Sequence, residues 1–172
     1  MQAWRSTLIV FGCVVLLAAC ASSPEPDAVK GQIVVGPHLN PNMEGRPSPV
    51  YLRVYQLKDR EPFMDASLQD LLMRDTDTLG GALLSRDSFE LCPVETSAGD
   101  RSDCQGEQMK ITLDIYPDVR FLAVMAEFFD VNDPSSQWRA VTELPREGFW
   151  DFIRSKSFTI SLERSRVDVR FD

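Results

Sequence analysis

The chain has 172 residues, a formal net charge of −8 and one histidine. That length suits one domain with a real core, and the acidic balance repels phosphate backbones and argues against nucleic acid as a partner. A single histidine excludes an HExxH metal site, and no G-x-S-x-G is present.

Residues 1–19 read as an export signal. "MQAWRSTLIVFGCVVLLAAC" carries one basic residue, Arg5, and then an apolar run from Leu8 to Leu17 that is short for a membrane span. Small residues and Cys20 follow, and "LAAC" resembles the lipobox of bacterial lipoproteins. In that pattern the Cys20 thiol takes a diacylglyceryl group, and small side chains admit the peptidase. The plain alternative is an ordinary signal peptide cut at an A-x-A-like site. Several acyl chains anchor stably, whereas one is marginal at ~0.8 kcal/mol per buried methylene. Lipoprotein sorting rules treat Asp after the cysteine as an inner-membrane signal. Ala21 stands there, which implies the outer membrane with the domain facing the periplasm. "ASSPEPDAVK" is polar and proline-containing, so residues 20–30 read as the lipidated cysteine plus a tether reaching at most ~36 Å. The folded domain is expected over 31–172.

Within that domain most segments have a period of two. "QIVV" (Gln32–Val35) is short and apolar. "VYLRVYQLK" (Val50–Lys58) places Val50, Leu52 and Val54 on one face and Tyr51, Arg53, Tyr55 and Leu57 on the other. "FMDASLQDLL" (Phe63–Leu72) breaks the pattern with leucines at helical spacing. Ser67 with Asp70 resembles a capping box, and "LGG" at Leu79–Gly81 ends the helix. "DSFELC" (Asp87–Cys92) is a third strand. In "QMKITLDIY", Met109, Ile111, Leu113 and Ile115 alternate with Lys110, Thr112 and Asp114, so one face is buried and one wet. "RFLAVMAEFF" (Arg120–Phe129) is apolar on both faces, as a central strand is. "QWRAVTEL", a second short helix near "EGFWDFI", and the pair "SFTISL" and "VDVRF" joined by an "ERSR" turn complete the chain. About eight strands with one helical insertion between the second and third argue for a β-sandwich.

Two of the four cysteines lie in the domain, because Cys13 belongs to the signal and Cys20 is the lipid acceptor. Cys92 and Cys104 flank "PVETSAGDRSD". An oxidising periplasm favours a disulfide between them, worth roughly 3 kcal/mol by the chain-entropy model. Two free thiols are the alternative, and a zinc pair lacks a second Cys/His pair.

"PHLNPNMEGRPSP" (Pro37–Pro49) joins the first two strands and holds His38 and four prolines. It is long for such a connection. Prolines reduce the entropy lost on docking, and Met43 and Arg46 suit an interface centre. A plain connection is the competing reading. A Ser–His–Asp set around His38 and Ser48 rests on a lone loop histidine, which is usually just solvated. "DTDTLGG" (Asp75–Gly81) lacks calcium ligands at two loop positions, Leu79 and Arg86, and reads as a helix-ending turn. Trp138 and Trp150 suit the core or the sandwich edge better than a ligand platform.

"LNPNMEGRPSPVYLRVYQLKD", "PFMDASLQDLL", "LGGALLSRDSFELCP", "RFLAVMAEFFD" and "QWRAV" follow one another in order over Leu39–Val141. Together they closely resemble the TssJ outer-membrane lipoproteins of type VI secretion systems. The resemblance implies a transthyretin-like β-sandwich with an added helix and no enzymatic activity or cofactor. It implies binding to the C-terminal periplasmic part of the inner-membrane protein TssM, and through it a trans-envelope complex with TssL. The family contact region is the loop between strands one and two. Here that is Asn40, Pro41, Asn42, Met43, Glu44, Gly45, Arg46 and Pro47, with Asn40, Asn42, Met43, Glu44 and Arg46 expected to reach outward. The Cys92/Cys104 pair lies outside the family pattern and rests on compartment chemistry alone. The second functional reading is a periplasmic lipoprotein that binds a small molecule or glycan through the sandwich.

Overall fold

A computed structural model describes residues 27–93, 108–145 and 157–172. Its strands are β1 (Asp27–Val35), β2 (Val50–Leu57), β3 (Leu83–Leu91), β4 (Gln108–Ile115), β5 (Phe121–Ala126), β6 (Arg139–Glu143), β7 (Phe158–Glu163) and β8 (Arg166–Phe171). Helices α1 (Glu61–Asp65) and α2 (Leu68–Leu79) lie between β2 and β3, followed by a 3-10 turn at Gly80–Ala82. One sheet has the order β4-β1-β7-β8 and the other β3-β2-β5-β6. All neighbours are antiparallel except β1 and β7, which run parallel from Gly31↔Phe158 to Val35↔Leu162.

The expected sandwich is present, and its core follows from the alternation. Val29, Ile33 and Val35 of β1, with Ile160 and Leu162 beside them on β7, share one core with Leu52 and Val54 of β2 and Leu122 and Val124 of β5 in the other sheet. The opposite face of β2 and β5 is also buried. Tyr55, Leu57, Phe121, Ala123 and Met125 pack under Phe63 of α1 and Leu71 and Leu79 of α2. Two covered faces explain why β5 has no polar residue. Gln56 is buried on the inner side, where its amide donates to the Asp114 carbonyl at 3.0 Å and ties the second sheet to the end of β4.

Two boundaries differ from the sequence reading. Asp27–Lys30, assigned by composition to the tether, are the first residues of β1. Their backbone pairs with Thr112–Ile115, and Val29 enters the core. The helical insertion expected from Phe63, with a capping box at Ser67 and a stop at Leu79–Gly81, has that cap and that stop in α2 but is two helices, because Ala66 is extended and Ser67 is the N-cap of α2. An N-cap residue has non-helical backbone by definition, so a cap at Ser67 breaks the helix there. The Ser67 hydroxyl accepts from the Asp70 N–H at 3.1 Å. Trp150, Cys104 and the short helix expected near "EGFWDFI" lie outside the described residues.

Candidate partner-binding site

The β1–β2 loop leaves the sandwich at Gly36, whose N–H donates to the Leu162 carbonyl at 2.7 Å. Leu39 is fully buried and anchors the first leg. Asn40 follows at φ 46°, a left-handed conformation that asparagine tolerates better than most residues. Its amide is used at both ends. The nitrogen donates to the Pro49 carbonyl at 2.6 Å, and the oxygen accepts from the Phe129 N–H at 2.6 Å. The Asn40 backbone N–H donates to the Arg164 carbonyl at 2.8 Å, and its carbonyl accepts from the Ser48 hydroxyl. The two legs of the loop are thereby tied to each other, to the β5–β6 connection and to the β7–β8 turn.

Asn42 builds the tip. Its side-chain oxygen accepts from the Glu44 N–H at 2.9 Å and the Arg46 N–H at 3.0 Å, while its own N–H donates to the Arg46 carbonyl at 2.9 Å. Gly45 completes the turn at φ 74°, in open space, so backbone conformation rather than crowding requires glycine there. Met43 at the apex is 89% exposed. Glu44 and Arg46 form an exposed ion pair at 3.1 Å, the kind that adds little stability and is free to exchange partners. Pro41 and Pro47 are half-buried, and His38 is exposed.

Asn40 therefore does not reach outward as expected. It is 4% exposed, and its polar groups hold the loop rather than present it. Asn42 is half-buried with its oxygen committed to the turn. Met43, Glu44 and Arg46 are the side chains that do project. A stretch rich in asparagine and proline signals a turn, but composition does not separate an asparagine that clamps a turn from one that faces solvent.

A second polar constellation was missed from sequence. Asp75 on α2 accepts from Arg86 of β3 at 2.7 and 2.8 Å, from the Tyr55 hydroxyl at 3.0 Å and from Arg53 at 3.3 Å. Arg53 also pairs with Glu127 at 2.7 Å. Burial by itself would push the Asp75 carboxyl up, but the hydrogen bonds from Arg86 and Tyr55 and the Arg86 charge together hold it below its ordinary value. Burial, and then the Asp75 charge, raise the Tyr55 phenol. A cleft of about 480 Å³ opens beside this group, lined by Tyr51, Arg53, Met73, Arg86, Ser88 and Glu127 among others. Its charges are already paired internally. The signal was present in the spacing: Leu71, Asp75 and Leu79 recur every four residues, so Asp75 lies on the buried stripe of α2.

Trp138 is half-buried where both hydrophobic clusters meet, and the Arg139 guanidinium stacks 4.6 Å from its ring centre. Arg139 also donates to the Phe63 and Ala66 carbonyls, both at 2.9 Å, at the end of α1. Trp138 is thus a sandwich-edge residue, as its position in sequence suggested.

Residues 27–165 match the family described as type VI secretion lipoprotein, VasD, EvfM, TssJ. The chain belongs to this family. Among solved structures, TssJ1, the type VI lipoprotein of Pseudomonas aeruginosa, superposes with a TM-score of 0.68 at 26% identity. The match covers 86% of this chain and 97% of that one. Serratia marcescens Lip, a membrane-bound component of the type VI secretion system, gives 0.63 at 23% identity over 86% and 96%. A chain in a structure described as the TssM C-terminal domain from EAEC gives 0.60 at 19% identity over 84% and 98%, a likeness of fold. No curated protein gives a significant match. The TssJ-family sandwich thus accounts for the two sheets and the helical insertion, and the β1–β2 loop stands out from it as a shaped projection.

Proposed function

We propose that this TssJ-family lipoprotein is a non-enzymatic anchor of the type VI membrane complex. It sits in the outer membrane through lipid on Cys20, faces the periplasm, and binds the C-terminal periplasmic region of TssM. TssL joins the same assembly indirectly. The carrying observation is the β1–β2 loop: a turn fixed by Asn40 and Asn42 that holds Met43 out in solvent. A pre-ordered loop loses little entropy when it docks, and an exposed methionine offers adaptable apolar contact. The partner assignment draws on family membership and on the fold likeness to chains in structures described as a type VI membrane complex and as a TssM C-terminal domain.

The full lipoprotein in detergent is titrated with the periplasmic region of TssM by calorimetry. Met43→Asp places an unpaired carboxylate at the apex and is expected to weaken binding about tenfold or more, since a desolvated lone charge is costly. Unchanged affinity would remove the loop from the mechanism. Cys20→Ser is expected to release the protein from the outer-membrane fraction. An unchanged fractionation would refute the lipid anchor.

A further inference from the structure

Phe129 is 59% exposed directly after the buried Phe128. It lies in the connection between β5 and β6, and its N–H is the group that the Asn40 side chain holds at 2.6 Å. The same Asn40 holds the β7–β8 turn through the Arg164 carbonyl and the far leg of its own loop through the Pro49 carbonyl. One buried side chain and its backbone thus set three connections against one another at one end of the sandwich. Tyr51, 53% exposed, belongs to this end as well, because its carbonyl accepts from the Glu127 N–H at 2.9 Å. Three of the large apolar side chains left in solvent, Met43, Tyr51 and Phe129, therefore stand on segments bonded into one unit.

We propose that Phe129 is a contact residue of the partner surface, and that Asn40 is the positioning residue that sets it beside the β1–β2 loop. This rests on the reading that the loop binds the periplasmic region of TssM, and it deepens that reading. The occupant is the same partner, which must offer an apolar recess for Phe129 in addition to its contact with Met43. An aromatic side chain brings a large apolar area to an interface and has only two side-chain torsions to freeze, which is why aromatics dominate binding hot spots. The clamp grips the Phe129 backbone, not its ring. The side chain is therefore removable without loosening the loop.

The test uses the full lipoprotein in detergent against the periplasmic region of TssM, with unfolding temperature measured alongside. Phe129→Ala is expected to leave the unfolding temperature within a degree or two and to weaken binding about tenfold. Asn40→Gly keeps a residue at ease in the left-handed region but deletes both side-chain hydrogen bonds. It is expected to weaken binding on its own and to cost less in the Phe129→Ala background than in the unsubstituted chain, because part of its effect runs through Phe129 and the rest through the β1–β2 loop. An Asn40 that acts through the β1–β2 loop alone would instead give losses that add. Wild-type affinity in Phe129→Ala, or additive losses in the double variant, overturns this inference and leaves the loop's role standing. An unsubstituted chain that fails to bind overturns both.

Discussion

Asp75 of α2 accepts two hydrogen bonds from the Arg86 guanidinium of β3, at 2.7 and 2.8 Å. This contact crosses from the helical insertion to the edge strand that follows it, at a point where the helix departs from ideal geometry. Arg74, the residue before Asp75, has φ −155° and ψ 42°. Asp75→Ala leaves Arg53 without one of its two carboxylate partners and Arg86 facing a void. Removing one member of a buried pair costs about 3–5 kcal/mol, and partial exposure of Arg86 puts this case at the lower end, about 3 kcal/mol. Urea unfolding of the variant against wild type measures it.

The same residue sets an acid limit. Its carboxyl is held below the ordinary value of 3.8 in the folded chain. A depressed folded value means that the unfolded state takes up the proton first. The stabilisation is complete above the ordinary value and is lost as pH falls below it toward the folded one. Wild-type stability is expected to fall in that window, and Asp75→Asn to be less stable at neutral pH with a flatter acid limb. Parallel acid limbs in the two proteins would assign the pH dependence to other carboxylates.

Gly31 lies under the Phe158 ring, its partner across the parallel β1–β7 pair. A Cβ at this position would come within 2.2–2.4 Å of the end of the ring, far inside contact distance, and Phe158 is fully buried. Gly31→Ala is therefore an overpacking substitution and is expected to destabilise by about 1–3 kcal/mol or more. Phe158→Leu alone is also destabilising, but the double variant is expected to recover part of the Gly31→Ala loss. Thermal unfolding of the three variants decides this, and strictly additive losses would mean that the two residues do not compete for space.

How much of this was legible depends on the range of the cause. The alternation of Met109, Ile111, Leu113 and Ile115 with polar residues marks β4 because burial on one face acts residue by residue. The two apolar faces of β5 mark a strand covered on both sides. The start of β1 was hidden because Asp27–Lys30 are held by pairing with Thr112–Ile115, which is remote in sequence. The loop was legible as a turn-rich projection between β1 and β2. The inward orientation of Asn40 was not, since it depends on Phe129 and Arg164, each set by a different strand pair.

Ser67 caps α2, and the two polar groups are reciprocal: the hydroxyl accepts from the Asp70 N–H at 3.1 Å and donates to the Asp70 carboxylate at 2.7 Å. The hydroxyl's bond to the carboxylate, and after it the Arg74 side chain, hold the Asp70 carboxyl below its ordinary value. Ser67→Ala leaves the first turn of α2 without its cap and is expected to destabilise by about 1 kcal/mol. Ser67→Asp restores an acceptor for the helix N–H but sets a second carboxylate beside Asp70, so it is expected to recover only part of the loss. Urea unfolding compares the three proteins, and a neutral Ser67→Ala would show that packing of Leu71 and Leu79 alone fixes the helix.

Cys92 is 2% exposed at the end of β3 and is disulfide-bonded. Its proposed partner, Cys104, lies outside the described residues. The link would close the connection from β3 to β4, a segment that joins an edge strand of one sheet to an edge strand of the other. Constraining that crossover removes conformations from the unfolded chain and is worth roughly 3 kcal/mol in the entropy model. Peptide mapping under non-reducing conditions is expected to recover the Cys92 and Cys104 peptides as one linked species. Cys104→Ser is expected to lower the urea midpoint, and a reductant to bring wild type down to the same value. If reductant leaves the wild-type midpoint where it was, the bond is either absent or without effect on stability, and peptide mapping tells the two apart.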